Sequence, residues 1–179
     1  LPEGLNRMFI TSDTAMKMKE RSDYSVLSCW ATNGINLYHI ATRRGKWEAH
    51  ELLEQAVVFW DDMSKEVVGL KPREFYIEDK ASGTGLIQTL QNKTNIPVFG
   101  VQVAKDKLQR VKDVLPYIVS GRLWFRESAS ALCNQEIISE CMCFTDNNTH
   151  LHDDIVDTIT MALKLSIADG TVSIYDVLD

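Results

Sequence analysis

His150-Leu-His-Asp-Asp-Ile-Val-Asp157 runs into an apolar segment ending near Ala168, and the reading of this stretch decides the fold. Three aspartates fall within five residues at a helix start. A helix N-terminus stabilises carboxylates, so their presence alone has a structural explanation. Helical phase, however, separates them. Asp153, Asp157, Thr160 and Lys164 follow one polar line, whereas Ile155, Val156, Ile159, Ala162, Leu163 and Ile167 cover the buried side. Asp154 shares its line with Thr158, Met161 and Leu165, at the edge of that side. A carboxylate in that phase points at whatever the helix packs on. It needs a partner there, and a metal ion is one candidate.

Upstream, the apolar pattern has the strand period. Met8 to Asp13 reads as a strand with Phe9, Thr11 and Asp13 on one side, followed by a polar link from Met16 to Asp23. Tyr24 to Trp30 and Ile35 to Thr42 flank the hairpin turn Asn33-Gly34, so three antiparallel strands open the chain. Arg43-Arg-Gly-Lys46 is expected to break the chain before a helix from Trp47 to Met63, with Leu52, Leu53, Ala56, Val57 and Trp60 inward. Arg73 to Asp79 is a fourth strand, and Ala81 to Gly85 a turn into a helix from Leu86 to Gln91. Ile96 to Val103 is a fifth strand, whose Pro97 and Gly100 suit an edge or an irregular start. A helix from Lys105 to about Ile118, a short extended piece at Leu123 to Phe125, and a helix capped by Ser128 and running to Cys143 precede the final helix. The order implies an α/β fold: a mixed central sheet, three antiparallel strands then two parallel, with helices on both faces.

The 179 residues, 45% of them hydrophobic, suit a single domain spanning 1–179. The opening Leu-Pro-Glu-Gly without an initiator Met is read as the exit from a linker, so a larger protein is expected. No apolar run approaches the roughly 18 residues of a membrane span, and no membrane association is expected. A net charge of −6 argues against a passive nucleic-acid surface, but not against an enzyme whose acidic site is neutralised by metal. Cys29, Cys133, Cys141 and Cys143 lack zinc-knuckle spacing and are read as buried thiols.

Acidic residues recur at three special places: Asp13 ends the first strand, Glu78 and Asp79 end the fourth, and Asp153, Asp154 and Asp157 begin the last helix. Open α/β sheets form sites at the carboxyl ends of strands, so Asp13 and Glu78 meet if those strands are parallel neighbours. Clustered carboxylates repel unless they hold cations. Hard oxygen ligands select Mg²⁺ or Mn²⁺, and two such ions suit in-line phosphodiester hydrolysis.

These residues carry a resemblance. Ser12-Asp13-Thr-Ala followed by Ser22-Asp23-Tyr-Ser-Val26 looks like the opening of the nuclease domain of bacteriophage large terminases. Tyr76-Ile-Glu-Asp-Lys-Ala-Ser-Gly83 with Leu86-Ile-Gln88 resembles its second motif, and His152-Asp-Asp-Ile-Val-Asp157 its third. Lys107 to Arg110, then Gly121-Arg-Leu, resembles a basic segment before a short strand. The resemblance covers nearly the whole chain and implies a ribonuclease-H-like endonuclease that cuts concatemeric viral DNA during genome packaging. It implies two divalent cations, Mg²⁺ or Mn²⁺, on Asp13, Glu78 and Asp154, with Asp79, Asp153 and Asp157 as auxiliary ligands. It also implies double-stranded DNA as substrate, and a motor ATPase domain, a portal and a small terminase subunit as partners, in the cytoplasm of an infected bacterial host. The chain would be the C-terminal nuclease part alone, since no Gly-x-x-x-x-Gly-Lys-[Ser/Thr] phosphate loop occurs in it.

Other patterns carry less. Lys105, Lys107, Arg110 and Lys112 form the main basic cluster and are assigned to DNA phosphates, with Arg43, Arg44 and Lys46 as a second candidate. His150-Leu-His-Asp153 matches a zinc-hydrolase spacing, but no histidine follows His152. Trp30, Trp47, Trp60 and Trp124 are read as core or partly buried. Two alternatives stand beside the nuclease: a ribonuclease-H-like junction resolvase, and a catalytically inert module that docks DNA or a partner.

Overall fold

The computed structural model describes residues 1–15, 24–80, 82–103, 105–126, 131–143 and 154–168. The expected link at Met16–Asp23, the Ser128 cap, the loop with His150 and His152, and Asp153 lie outside these residues. Six strands form one sheet: β1 (Arg7–Asp13), β2 (Ser25–Thr32), β3 (Leu37–Gly45), β4 (Pro72–Glu78), β5 (Val98–Val101) and β6 (Leu123–Phe125). Their order across the sheet is β5-β4-β1-β2-β3-β6. β1, β2 and β3 are antiparallel neighbours, whereas β4 lies parallel to β1, β5 to β4 and β6 to β3. The short piece at Leu123 to Phe125 thus becomes a sixth strand, because it pairs with Leu37 to His39 at the open edge of β3. The helices are α1 (Ala49–Glu66), α2 (Ser82–Lys93), α3 (Lys107–Val119), α4 (Ala131–Cys143) and α5 (Asp154–Leu163), the last continuing as a π-helical turn, Lys164–Ala168.

Strand alternation divides the core. Met8, Ile10, Leu27, Cys29, Phe75 and Ile77 pack on α1 and α2. Phe9, Val26, Trp30 and Leu37 face the other way, onto Val114 of α3, Ile137 of α4 and the apolar side of α5. Every residue of β2 is buried, as a strand covered on both faces requires. Polar seams pin α5 to this face. Trp30 Nε1 donates to Thr11 Oγ1 (2.8 Å), Thr11 Oγ1 donates to the Thr158 carbonyl (3.1 Å), and Thr158 Oγ1 lies 3.0 Å from Ser28 Oγ. Satisfied hydroxyls in a dry layer fix one helix register, because a shift would leave them without partners.

Several expectations are corrected. β3 does not break at Arg43 but runs through Gly45, since Arg43 and Arg44 pair with Leu27 and Val26 while their side chains find acidic partners. The buried line of α1 is Leu52, Ala56, Phe59 and Met63, with Leu53, Val57 and Trp60 at its margins. α2 begins at Ser82 and takes in the expected turn. Trp124 is exposed because β6 is an edge strand, and of the thiols Cys29 is buried whereas Cys141 and Cys143 are exposed. The side chain of Cys133 lies outside the described residues. No described helix is long and apolar enough to cross a membrane.

Candidate active site

Parallel pairing of β1 and β4 proceeds through Thr11–Tyr76 to Ser12–Ile77, so Asp13 and Glu78 are the next pair at the carboxyl ends of adjacent strands. Alternation decides between Glu78 and Asp79. Phe9, Thr11 and Asp13 share the α5 side with Tyr76, which packs edge-on to Phe9. Glu78, two residues after Tyr76, takes the same side. Asp79 is engaged elsewhere: its Oδ1 accepts from Thr84 Oγ1 at 2.6 Å and its Oδ2 from Gln102 Nε2 at 3.0 Å. The chain makes the Glu78 corner tight. A Cβ on Gly83 would stand 1.9 Å from the Glu78 carbonyl oxygen, so only glycine lets α2 start so close to that strand end.

α5 delivers the other carboxylates. Asp154 and Asp157 are both buried, at 7% and 3% exposure, and of the expected polar line Asp157 and Thr160 are buried while Lys164 is exposed. Asp157 is held by α3: Lys107 Nζ lies 2.6 Å from its Oδ2 and Arg110 Nη2 2.9 Å from its Oδ1. Arg44 reaches Asp154 at 3.8 Å and Glu140 at 3.3 Å, with its guanidinium 4.0 Å from the centre of the Tyr24 ring. Of the remaining basic cluster, Lys105 pairs with Asp113 at 2.7 Å and Lys112 is exposed.

Three of these carboxylates act on the fourth, Asp13. Burial, then the charges of Asp157, Glu78 and Asp154, push the Asp13 carboxyl up to about 8, with Lys107 opposing. Asp157 thus weighs more on Asp13 than Asp154 does. The donor set is made of hard carboxylate oxygens whose mutual repulsion a divalent cation offsets, so these residues fit such an ion. Among the described residues, as placed, no three such side chains are drawn together tightly enough to hold one.

The raised Asp13 carboxyl makes stability depend on pH. The folded chain holds the Asp13 proton more tightly than the unfolded chain, whose carboxyl titrates near 3.8. Unfolding then releases a proton between these values, so the metal-free protein loses stability as pH rises from about 4 to about 8. Melting temperatures in EDTA are expected to fall across that range, and Asp13→Asn to flatten the fall. A variant as steep as the parent contradicts this account.

Glu140 was not anticipated. On α4, 7% exposed, its Oε1 accepts from the backbone N–H groups of Ile155 (2.7 Å) and Val156 (3.3 Å). The available signal was a carboxylate one turn after Ile137, with Ile138, Cys141, Met142 and Cys143 around it.

The mixed six-stranded sheet with helices on both faces is that of a ribonuclease-H-like fold. The model of the terminase RNaseH-like domain matches residues 10–165, and the chain belongs to that family. Among solved structures, the large terminase of a thermophilic bacteriophage aligns over 92% of this chain and 41% of its own, with 13% identity and a TM-score of 0.67. This chain therefore spans less than half of that protein. The Mn-soaked human cytomegalovirus terminase nuclease domain aligns over 94% of this chain and 86% of its own, with 14% identity and a TM-score of 0.69. The zinc-bound large terminase nuclease of a second thermophilic phage aligns over 89% and 82%, with 15% identity and a TM-score of 0.60. No curated protein matches this sequence.

Proposed function

We propose that this domain is a metal-dependent DNA endonuclease that cuts concatemeric viral DNA during genome packaging, within a protein that also carries a motor ATPase. The observation that carries the reading is the raised Asp13 carboxyl, on which the charges of Asp157, Glu78 and Asp154 all act. Asp13, Glu78 and Asp154 would hold two divalent cations, Mg²⁺ or Mn²⁺, with Asp157 beside them. When bound, such ions activate water and stabilise the leaving oxygen of an in-line phosphodiester displacement. The chain's own part is to present carboxylates from two rigid strands and one pinned helix, and to keep them ionised when loaded. The similar proteins named as terminase nucleases, one Mn-soaked and one zinc-bound, support the reading by fold. The test is plasmid cleavage in Mn²⁺, Mg²⁺ and EDTA. Nicking or linearisation that EDTA abolishes is expected. Cleavage in none of them favours a module that only docks DNA.

Lys105, Lys107, Arg110 and Lys112 are proposed to flank the DNA backbone, with Lys107 and Arg110 serving also as counter-charges to Asp157. Lys107→Ala with Arg110→Ala is expected to weaken DNA binding and to lower the slope of log affinity against log salt by about two, at roughly 0.9 per phosphate contact. The same pair of changes leaves Asp157 buried without these two cations, so the metal-free melting temperature should drop as well. An unchanged salt slope with lowered stability would assign both residues to Asp157 alone.

A further inference from the structure

Resting on the nuclease reading, we infer that Glu140 is a positioning residue for Asp154, setting the divalent-ion affinity of the site without touching the ion itself. Asp154 is the first residue of α5, and its side-chain direction depends on how that helix begins. The first N–H groups of a helix lack partners within it and are ordinarily met by a side chain just upstream. Here a carboxylate from α4 meets two of them, at Ile155 and Val156. Its second oxygen holds Arg44 at 3.3 Å, and Arg44 also reaches Asp154.

Glu140 therefore acts on Asp154 by two routes, through the backbone that carries it and through the guanidinium beside it. Arg44 is itself fixed. It sits on β3 opposite Val26, which lies opposite Asp13, so one row across the sheet carries both Asp13 and Arg44. The Tyr24 ring covers its guanidinium. Glu140 thus ties the helix bearing Asp154 to the strand row bearing Asp13, and it sets how these carboxylates face each other before any ion arrives. Partners that orient metal ligands typically change metal affinity by about 10–100-fold when removed.

The test compares Glu140→Ala, Glu140→Gln and, as a control for lost stability, Met63→Ala in the core on the opposite face of the sheet. Mn²⁺ binding is read directly from the free-ion EPR signal, and the Mn²⁺ dependence of plasmid cleavage is resolved into a midpoint and a maximal rate. Glu140→Ala should weaken Mn²⁺ binding and raise the midpoint by about tenfold or more. Glu140→Gln keeps an oxygen for the helix N–H groups but loses the charge facing Arg44, so it should fall between Glu140→Ala and the parent. Met63→Ala should lower the melting temperature and leave the midpoint in place. If Glu140→Ala and Glu140→Gln melt lower yet bind Mn²⁺ as the parent does, Glu140 is only a helix cap and the inference is overturned. If the parent itself neither binds Mn²⁺ nor cuts, the nuclease reading fails, and this inference falls with it.

Discussion

Asp13→Ala and Asp154→Ala should each reduce Mn²⁺-dependent plasmid cleavage by roughly a thousandfold or more, while Asp79→Ala keeps most of it. The magnitude follows from the several kcal/mol that a held cation contributes to a developing negative charge, at about 1.4 kcal/mol per tenfold in rate. The contrast with Asp79 comes from geometry. All three are acidic and close to strand or helix ends, and composition treats them alike. Asp13 and Asp154 lie within one electrostatic group, whereas Asp79 has both oxygens engaged by Thr84 and Gln102. Asp13→Ala and Asp154→Ala should not unfold the domain. Asp154→Ala removes a charge from a repelling cluster, and Asp13→Ala removes a carboxyl whose ionisation burial and its neighbours oppose, so the melting temperature in EDTA should hold or rise. Cleavage that survives in both variants would remove the ligand assignment.

Gly83→Ala should cost about 1–3 kcal/mol of stability and disable the site, although residue 83 is no ligand. A Cβ there meets backbone, the Glu78 carbonyl oxygen at 1.9 Å, rather than the end of a flexible side chain. Either α2 withdraws or the end of β4 moves, and both displace Glu78 relative to Asp13. Gly85→Ala, two residues on in the same helix, is the matched control, since nothing lies within 4 Å of an added Cβ there. Helix propensity favours Ala over Gly at both positions, so a loss confined to Gly83→Ala isolates the contact. Equal behaviour of the two variants would show that the close approach relaxes harmlessly.

The sheet was legible because its apolar runs have strand length and Asn33-Gly34 marks the hairpin. The carboxylates stood out in the sequence for a different reason: each alone has a structural explanation, but they recur together at two strand ends and one helix start. What escaped had its cause in tertiary contacts. The end of β3 carries two arginines and a glycine, which propensity assigns to a break, yet pairing with β2 and the acids within reach of those arginines extend the strand. Asp157 lay on a line with Lys164 and so resembled a solvated face. Only the docking of α3, with Lys107 and Arg110, buries it. The inward line of α1 is shifted because apolar residues occupy both neighbouring phases of the helix: Phe59 and Met63 fill the core, and Leu53, Val57 and Trp60 pack at its edge. Glu140 escaped because its partners are main-chain N–H groups of a different helix, which no local pattern encodes.

The hydroxyl seam of Thr11, Ser28 and Thr158 has a consequence for synthesis of the protein. Two strands at the beginning of the chain await a helix made near its end, and Asp13 and Glu78 reach their acidic partners only when that helix docks. A ribosome that has produced everything through α4 carries the sheet, the basic arm and half of the carboxylates, but no assembled site. Under the proposed function, premature termination products and proteolytic fragments lacking α5 keep the basic residues of α3 but lack Asp154 and Asp157, so they are expected not to cut DNA.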